Sequence, residues 1–330
     1  MPANRTDVRM FSIAQRSLYV PDLDLWIDAS AGRKRCYVSH GHSDHARRHD
    51  QILATPESAA ICRSRLGEDL VIETHAYGEP FSIGEARLTL FSAGHVLGSS
   101  QLLIESERGR FVYTGDFKLG PSLTCAPAEV ERCDVVLMEC TFGKPKYVFP
   151  PREDVCDALV TWARTALEQG ATPVVLAYSL GKAQEAMAIL GSAGLPLMVH
   201  AAIDKIARIY GEHGVDLPPY VPYAADETAG RVVILPPGSA NERTLAPMTA
   251  PRTAMLSGWA VDASARYRYG VDAAFALSDH ADFPALLRYV ELAQPSKVLL
   301  NHGFRSFLHD LRRRGVNAEF LEEHAQLSLF

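Results

Sequence analysis

The sequence predicts an α/β protein built as two domains, and three observations predict it. At 330 residues the chain exceeds the roughly 100–200 residues of one compact core and suits two. Its first part carries short runs of alternating apolar and polar residues, the period of half-buried strands. After Pro150-Pro151 the pattern changes to longer helical runs separated by short apolar strands and Gly-bearing joints, which is how a parallel sheet with helices on its faces reads.

In the β-rich part, strands are expected at 17–20, 23–28, 35–39 and 88–92, then a hairpin from 102–105 to 110–114 turning at Glu107-Arg108-Gly109. Helical signals are confined to 43–50 and 57–66, and an apolar strand over 135–138 ends at Glu139. The alternating part gives helix 153–169, strand 173–177, helix 182–190, strand 195–200 and helix 203–210, followed by strands 231–235 and 253–256 on either side of a Pro-rich loop. Beyond these lie strand 274–277, helix 283–292, strand 297–300, helix 306–314 and strand 318–321. The expected domain boundaries place 1–149 and 272–330 in one domain and 150–271 in a second, inserted one.

Composition narrows the function classes. With 47% hydrophobic and 22% charged residues the chain is near the globular average, which excludes a disordered or fibrous protein. No window approaches the roughly 18 apolar residues of a membrane helix, and the start, MPANRTDVRM, lacks the apolar core of a secretion signal. The expectation is a cytoplasmic protein without a membrane partner. Six cysteines without a C-x-x-C pair read as reduced core residues. A net charge of −6 argues against coating nucleic acid by bulk electrostatics. It leaves a nuclease open, because a carboxylate-rich metal site is itself acidic.

The strongest motif is His40-Gly41-His42-Ser43-Asp44-His45, directly after a β-rich run. His40 and His42, two apart on an extended segment, point the same way, while Asp44 and His45 curl beneath them as the chain turns. A lone histidine is usually a satisfied polar residue; four ligand-type side chains in so short a loop are a metal site. Imidazole and carboxylate donors suit zinc, with manganese or iron also compatible. Further ligand candidates sit at expected strand ends, each beside glycine: His95 after Gly94, Asp116 after Gly115 and His302 before Gly303. Such glycines let backbone pass close to a crowded centre. His49, His75, His200, His213, His309 and His324 lack such context.

These residues, in this order, resemble the metallo-β-lactamase fold, and the rest of the chain resembles its β-CASP nuclease branch. The resemblance extends to an acid after the last strand of the first half, Glu139 in Met138-Glu139-Cys140-Thr141-Phe142-Gly143, and a histidine after the insert, His280 in Ser278-Asp279-His280-Ala281. It implies an αββα sandwich with an inserted Rossmann-like β-CASP domain. It also implies two divalent metal ions, one on His40, His42 and His95 and one on Asp44, His45 and His302, bridged by Asp116. The catalytic roles it implies are His280 as general acid kept protonated by Glu139, and Asp44 orienting the attacking water or accepting its proton. Asp28 matches the fold's first acidic motif and would steady ligand histidines.

Within the branch, Thr141-Phe142-Gly143-Lys144-Pro145-Lys146-Tyr147 and the run from Ala177 to Glu185 resemble the bacterial ligase-associated DNA exonuclease group. That implies a DNA exonuclease acting in repair, entering at single-stranded 5′ ends, with a DNA ligase or helicase as pathway partner. DNA-cutting eukaryotic members of the wider family tend to carry Val where this chain has His302 and RNA-processing members tend to carry His, so an RNA-processing nuclease is the alternative. A noncatalytic nucleic-acid-binding subunit is disfavoured because every motif position is filled, and a small-molecule hydrolase because of the insert and the Glu139/His280 pair. Expected substrate contacts are Ser179, Gly181 and Lys182 at a strand-to-helix joint, Ser257 and Gly258 at another, and Lys144 and Lys146 near the domain junction. Arg47, Arg48 and Arg152 are further candidates for the phosphate backbone, and Tyr178 and Trp259 for stacking on bases.

Overall fold

The computed structural model describes residues 10–321 apart from Arg16; the first nine residues of the opening stretch and His324 lie outside the described residues. The chain divides into two compact units, the first formed by Met1–Gly120, Ala126–Lys146 and Ala281–Phe330, the second by Pro121–Cys125 and Tyr147–His280.

The first unit opens with strands β1 (Ser12–Ala14), β2 (Ser17–Val20), β3 (Leu25–Ile27), β4 (Arg35–Tyr37) and β5 (Gln51–Ala54), helix α1 (Pro56–Leu66) and strand β6 (Ile72–Thr74). These six strands form one sheet in sequence order. Helix α1 starts where the Thr55 hydroxyl accepts the Ser58 N–H at 3.2 Å, with Pro56 as its first residue. Strands β7 (Phe81–Ile83), β8 (Ala86–Ser92), β9 (Ser100–Ser106), β10 (Gly109–Tyr113) and β11 (Val135–Cys140) follow.

In the second unit the order is helix α2 (Arg152–Glu168), β12 (Pro173–Leu176), α3 (Lys182–Ser192), β13 (Leu197–Val199), α4 (Ala201–Glu212), β14 (Tyr220–Pro222), β15 (Val232–Leu235), α5 (Glu242–Leu245), β16 (Arg252–Leu256), α6 (Ala265–Tyr269) and β17 (Ala273–Phe275). The chain then re-enters the first unit with α7 (Phe283–Ala293), β18 (Lys297–Gly303), α8 (Ser306–Arg313) and β19 (Ala318–Phe320), completing a seven-stranded sheet of order β19-β18-β11-β10-β9-β8-β7.

Side-chain alternation along the strands builds the layers of the first unit. Leu88, Leu102, Ile104, Phe111, Tyr113, Leu137 and Leu299 face one way and share a core with Leu18, Leu25, Ile27 and Tyr37 of the other sheet. Their neighbours Leu103, Val112, Val136, Met138, Val298 and Leu300 face the opposite way, onto Leu286 and Tyr289 of α7 and Phe307 and Leu311 of α8. The outer face of the first sheet buries Cys36, Ile52 and Ala54 with Cys62 of α1. Side-chain alternation along the strands thus supplies the separate cores of this unit.

Two local expectations fail here. Residues 43–50 form a turn, not a helix: the His42 carbonyl accepts the His45 and Ala46 N–H groups at 3.1 and 2.8 Å, and the helix goes no further. The Asp50 and Gln51 N–H groups instead reach the Arg33 and Lys34 carbonyls, drawing the chain into β5, a strand the sequence reading missed. Sheet pairing that buries Ile52 and Leu53 outweighs local helix propensity. The three-residue strands β1, β6 and β7 were also missed, since none belongs to a longer apolar or alternating run.

All strands of the second unit run parallel, in the order β14-β13-β15-β12-β16-β17. Val175, Val199, Val232 and Ile234 face the long helices α2, α3 and α4, whereas Val174, Leu176, Met198 and Val233 face Met248, Leu245 and Tyr269. The three long helices therefore share one face, and short segments cover the other. Pairing of β17 with β16 carries this unit on to His280 rather than ending it at 271. Its outlying piece, Pro121–Cys125, is fixed by the buried Glu185 carboxylate, which accepts the Leu123 N–H at 2.7 Å, the Thr124 hydroxyl at 2.9 Å, the Ser122 hydroxyl and the Arg152 guanidinium.

None of the six cysteines is joined in a disulfide, and four of them are buried. Among the described residues no helix is long and apolar enough to cross a membrane. His49 is buried and accepts the Arg33 N–H on Nδ1 at 3.1 Å. Burial lowers its pKa below the ordinary imidazole value, with Asp28 opposing and Arg33 assisting. A histidine depressed in the fold contributes stability above its unfolded pKa of about 6.5 and loses it as pH falls through that value. Urea midpoints at pH 7.5 and 5.5 should therefore fall less for His49→Asn than for the wild type; an equal fall would contradict this reading.

Candidate metal centre

Strand β4 lies between β3 and β5, and its carboxyl end delivers the loop from Ser39 to His45. The loop is held from α1, where Arg65 donates to the Gly41 carbonyl at 2.6 Å. His95 follows β8 in a turn closed by the Ser99 hydroxyl, which accepts the His95 and Val96 N–H groups at 3.1 Å. Asp116 follows β10 through Gly115, whose φ is +55° and where any Cβ would lie 2.9 Å from that of Ser39. That approach is why glycine precedes the aspartate.

These segments bring their donors together. His95 Nε2 lies 3.0 Å from His42 Nδ1, and His40, His42 and His95 form one group whose ligand atoms lie within 4.8 Å of one another. His40, His45 and Asp116 form a second such group. Asp116 Oδ2 is central, 3.3 Å from His45 Nε2, 3.7 Å from His40 Nε2 and 3.9 Å from His95 Nε2. Exposed Asp44 places its Oδ2 3.8 Å from His45 Nε2, and the His302 ring centroid is 6.1 Å from that of His45.

The donor set fits divalent cations. His40 is fully buried, and its Nε2 has no hydrogen-bond partner although it faces Asp116 and the other imidazoles. A buried ring nitrogen left so is costly unless a cation takes its lone pair. Burial pushes the His40 imidazole well below its ordinary pKa, and His45, His95 and His42 push the same way. Burial also acts to lower His45, but the carboxylates of Asp116 and Asp28 outweigh it and hold that imidazole well above its ordinary value. Neighbouring rings in one cluster are thus driven in opposite directions by the placement of two carboxylates.

Asp28 is the fixed point beneath the loop. Its carboxylate accepts the Ser39 N–H at 2.7 Å, the Ser39 hydroxyl at 2.6 Å and the Tyr113 hydroxyl at 2.8 Å, and meets His45 Nδ1 at 2.8 Å. Ser39 also reaches His40 Nδ1 at 3.0 Å. One carboxylate therefore orients two imidazoles, one directly and one through a serine. Asp28→Ala should weaken metal binding about 10–100-fold by freeing His45, read by competition against a chromophoric chelator; unaltered affinity would show that the loop holds itself.

The remaining candidates are placed as follows. Buried Glu139 accepts the Phe117 N–H at 3.0 Å and the Thr141 hydroxyl. His302 sits at a register shift between β11 and β18, with φ of +48° and its carbonyl 2.9 Å from the Cys140 thiol. His280 is the last residue of the second unit, its N–H on the Ser278 hydroxyl at 3.0 Å. The next residue, Ala281, belongs to the first unit and donates to the Phe117 carbonyl at 2.7 Å.

Among the expected substrate contacts, Lys182 is buried with its ammonium against Asp279. The Gly181 N–H is taken by Gln184 at 2.9 Å, while Ser179 is half-buried. Ser257 caps the turn at buried Gly258 by accepting the Trp259 N–H at 3.3 Å. Lys144 lies over the Phe304 ring at 4.1 Å, and Lys146 is exposed. Arg152 pairs with Glu185 and Arg48 with Asp69. The sequence reading missed the positioning roles of Ser39, Arg65, Tyr113 and Thr141. Ser39 and Thr141 adjoin motif residues and carried a signal of sorts; Arg65 lies inside a helix with none.

Fold and site together define an α/β chain of two units carrying a His/Asp cluster able to hold divalent cations. No family model matches the chain. Over 315 residues, 94% of its length, it is 42% identical to a protein of Opitutus terrae named "Probable DNA ligase", covering 31% of that protein. It is also 35% identical over 127 residues to the "RNase aCSPSF2" of Saccharolobus solfataricus, 38% of this chain and 25% of that one. A third relative is the "RNase J-like protein" of Methanocaldococcus jannaschii, 31% identical over 124 residues, 37% of this chain and 30% of that one. The matches thus span less than a third of each of these relatives. Among solved structures, a protein of unknown function from Enterococcus faecalis V583 shares the fold, with a TM-score of 0.58 at 14% identity, covering 88% of this chain and 80% of that one.

Proposed function

We propose that this chain is a metal-dependent nuclease of the metallo-β-lactamase fold, in its β-CASP branch. The observation that carries the reading is the convergence of His40, His42, His95, His45 and Asp116, drawn from three separate loops, around unsatisfied His40 Nε2. Relatives whose names denote nucleic-acid enzymes support it.

In this reading His40, His42 and His95 would hold one divalent cation, zinc by donor type, and Asp44, His45 and His302 a second, with Asp116 available to either. Cations bound there lower the pKa of water towards neutrality and offset the charge of a phosphate. The chain's own residues do the rest. Asp28, Ser39 and Tyr113 keep the imidazoles aimed, and exposed Asp44 orients the attacking water or takes its proton. The resemblance assigns His280 the proton given to the leaving alkoxide, with Glu139 keeping it protonated. His280→Ala should keep its metal yet cleave about 10²–10⁴-fold more slowly; a near-normal rate would remove the acid role.

DNA, attacked from a single-stranded end during repair, is the favoured substrate. The ligase-named relative supports it, because the match spans nearly this whole chain and leaves about two thirds of that longer protein outside it. RNA is the second reading, supported by the RNase-named relatives and by His302. The deciding experiment is cleavage of labelled single-stranded DNA against RNA of the same sequence, with circular versions of each. Shortening of linear DNA with circles spared is expected; degradation of RNA alone would reverse the assignment.

A further inference from the structure

The parallel sheet of the second unit contains a point where the strand order reverses. From β12 the chain moves to one side, through β13, β14 and β15, then crosses to β16 on the other side of β12. The carboxyl ends of β12 and β16 therefore flank a crevice between diverging connections, the place where open α/β sheets bind ligands. Strand β12 leads there into Ala177 and Tyr178, and β16 into Ser257, Gly258 and Trp259.

What stands at this edge is aromatic and cationic. Tyr178 is 54% exposed and Tyr267, in α6, is 75% exposed, the highest figure for any large apolar side chain among the described residues. Helix α6 reads Ala-Arg-Tyr-Arg-Tyr, with Arg266 over the Tyr267 ring at 4.7 Å and Arg268 over Tyr269 at 5.2 Å. The short helix is tied to the strand end, since the Tyr269 hydroxyl lies 3.2 Å from Ser257 Oγ and Arg268 donates to the Trp259 carbonyl at 3.3 Å. Trp259 is itself braced edge-on by Tyr147 at 5.4 Å. Neither Arg266 nor Arg268 has a carboxylate within ion-pair distance among the described residues, in a chain whose net charge is −6. Exposed guanidiniums that no carboxylate neutralises leave their charge available to a polyanion.

We propose that Tyr267, with Arg266 and Arg268, forms a platform at this switch point for single-stranded polynucleotide, the ring stacking on a base and the guanidiniums tracking the backbone. Exposed rings alternating with cations suit a polymer; a mononucleotide or dinucleotide cofactor requires a concave site that encloses it. The inference deepens the nuclease reading and rests on it for the identity of the polymer.

The test uses the full chain in EDTA, which stops cleavage, with fluorescein-labelled dT12 and U12 read by anisotropy. Tyr267→Ala should weaken binding about tenfold and Tyr267→Phe should restore it, as stacking on one base requires. The double variant Arg266→Ala/Arg268→Ala should flatten the dependence of log affinity on log salt by about 1.4, for two single-strand phosphate contacts. The two probes distinguish DNA from RNA as the source of the same chemistry. Wild-type affinity and salt slope in both variants, or no binding of either probe by the wild type, would overturn the platform. Hydrolysis of bis(p-nitrophenyl) phosphate by the metal-loaded wild type reports the metal centre separately, so failure there removes the nuclease reading and leaves the binding result standing.

Discussion

Asp116→Ala should leave the protein folded, strip it of bound metal and lower cleavage by more than about 100-fold. Asp116 Oδ2 lies within 3.9 Å of nitrogens on His40, His45 and His95, so one carboxylate serves ligands of both groups. Loss of a residue that merely orients a ligand typically costs about 10–100-fold in metal affinity, and loss of a shared donor costs more. Removing this anion also leaves crowded imidazoles facing one another with less negative charge between them. Metal content after dialysis and initial cleavage rates check both halves. A variant that keeps the wild type's metal content and rate would show that the cluster is not the centre.

The second large effect falls on stability. Gly303→Ala should destabilise the first unit by about 2–5 kcal/mol, combining left-handed strain with a steric clash. Gly303 has φ of +101°, and a Cβ there would drive into the Cys140 carbonyl and the start of Thr141. This is where β11 and β18 slip register and where His302 takes its own positive φ. Relief of the clash would displace His302, whose ring centroid is 6.1 Å from that of His45. Gly315→Ala provides the control, because φ is +79° with open space around the missing Cβ. It should cost only the backbone strain, about 1–2 kcal/mol. Equal denaturation midpoints for the two variants would remove the steric argument.

The donor cluster was legible where its residues are contiguous in the loop, and His95 and Asp116 because each follows a strand beside glycine. The sheets were legible wherever apolar residues alternate over five or more positions, as in β8 to β11. The three-residue strands β1, β6, β7 and β14 lie outside any longer apolar or alternating run, so they were not. The turn at 43–50 looked helical because its partners, the Arg33 and Lys34 carbonyls, lie far back in the chain. The same limit hides Tyr113, which meets Asp28 across 85 positions, and the pairing of Lys182 with Asp279 across 97. Side chains whose significance lies in a remote partner look ordinary in one dimension.

Glu185 sets a practical rule for dissecting this protein. Residues 147–280 look like a self-contained piece for separate expression, yet that fragment would lack Ser122, Leu123 and Thr124, and each bond to such an ionised acceptor is worth about 1.5–3 kcal/mol. Without those donors the truncated piece should aggregate or unfold where one carrying the short 121–125 stretch would not.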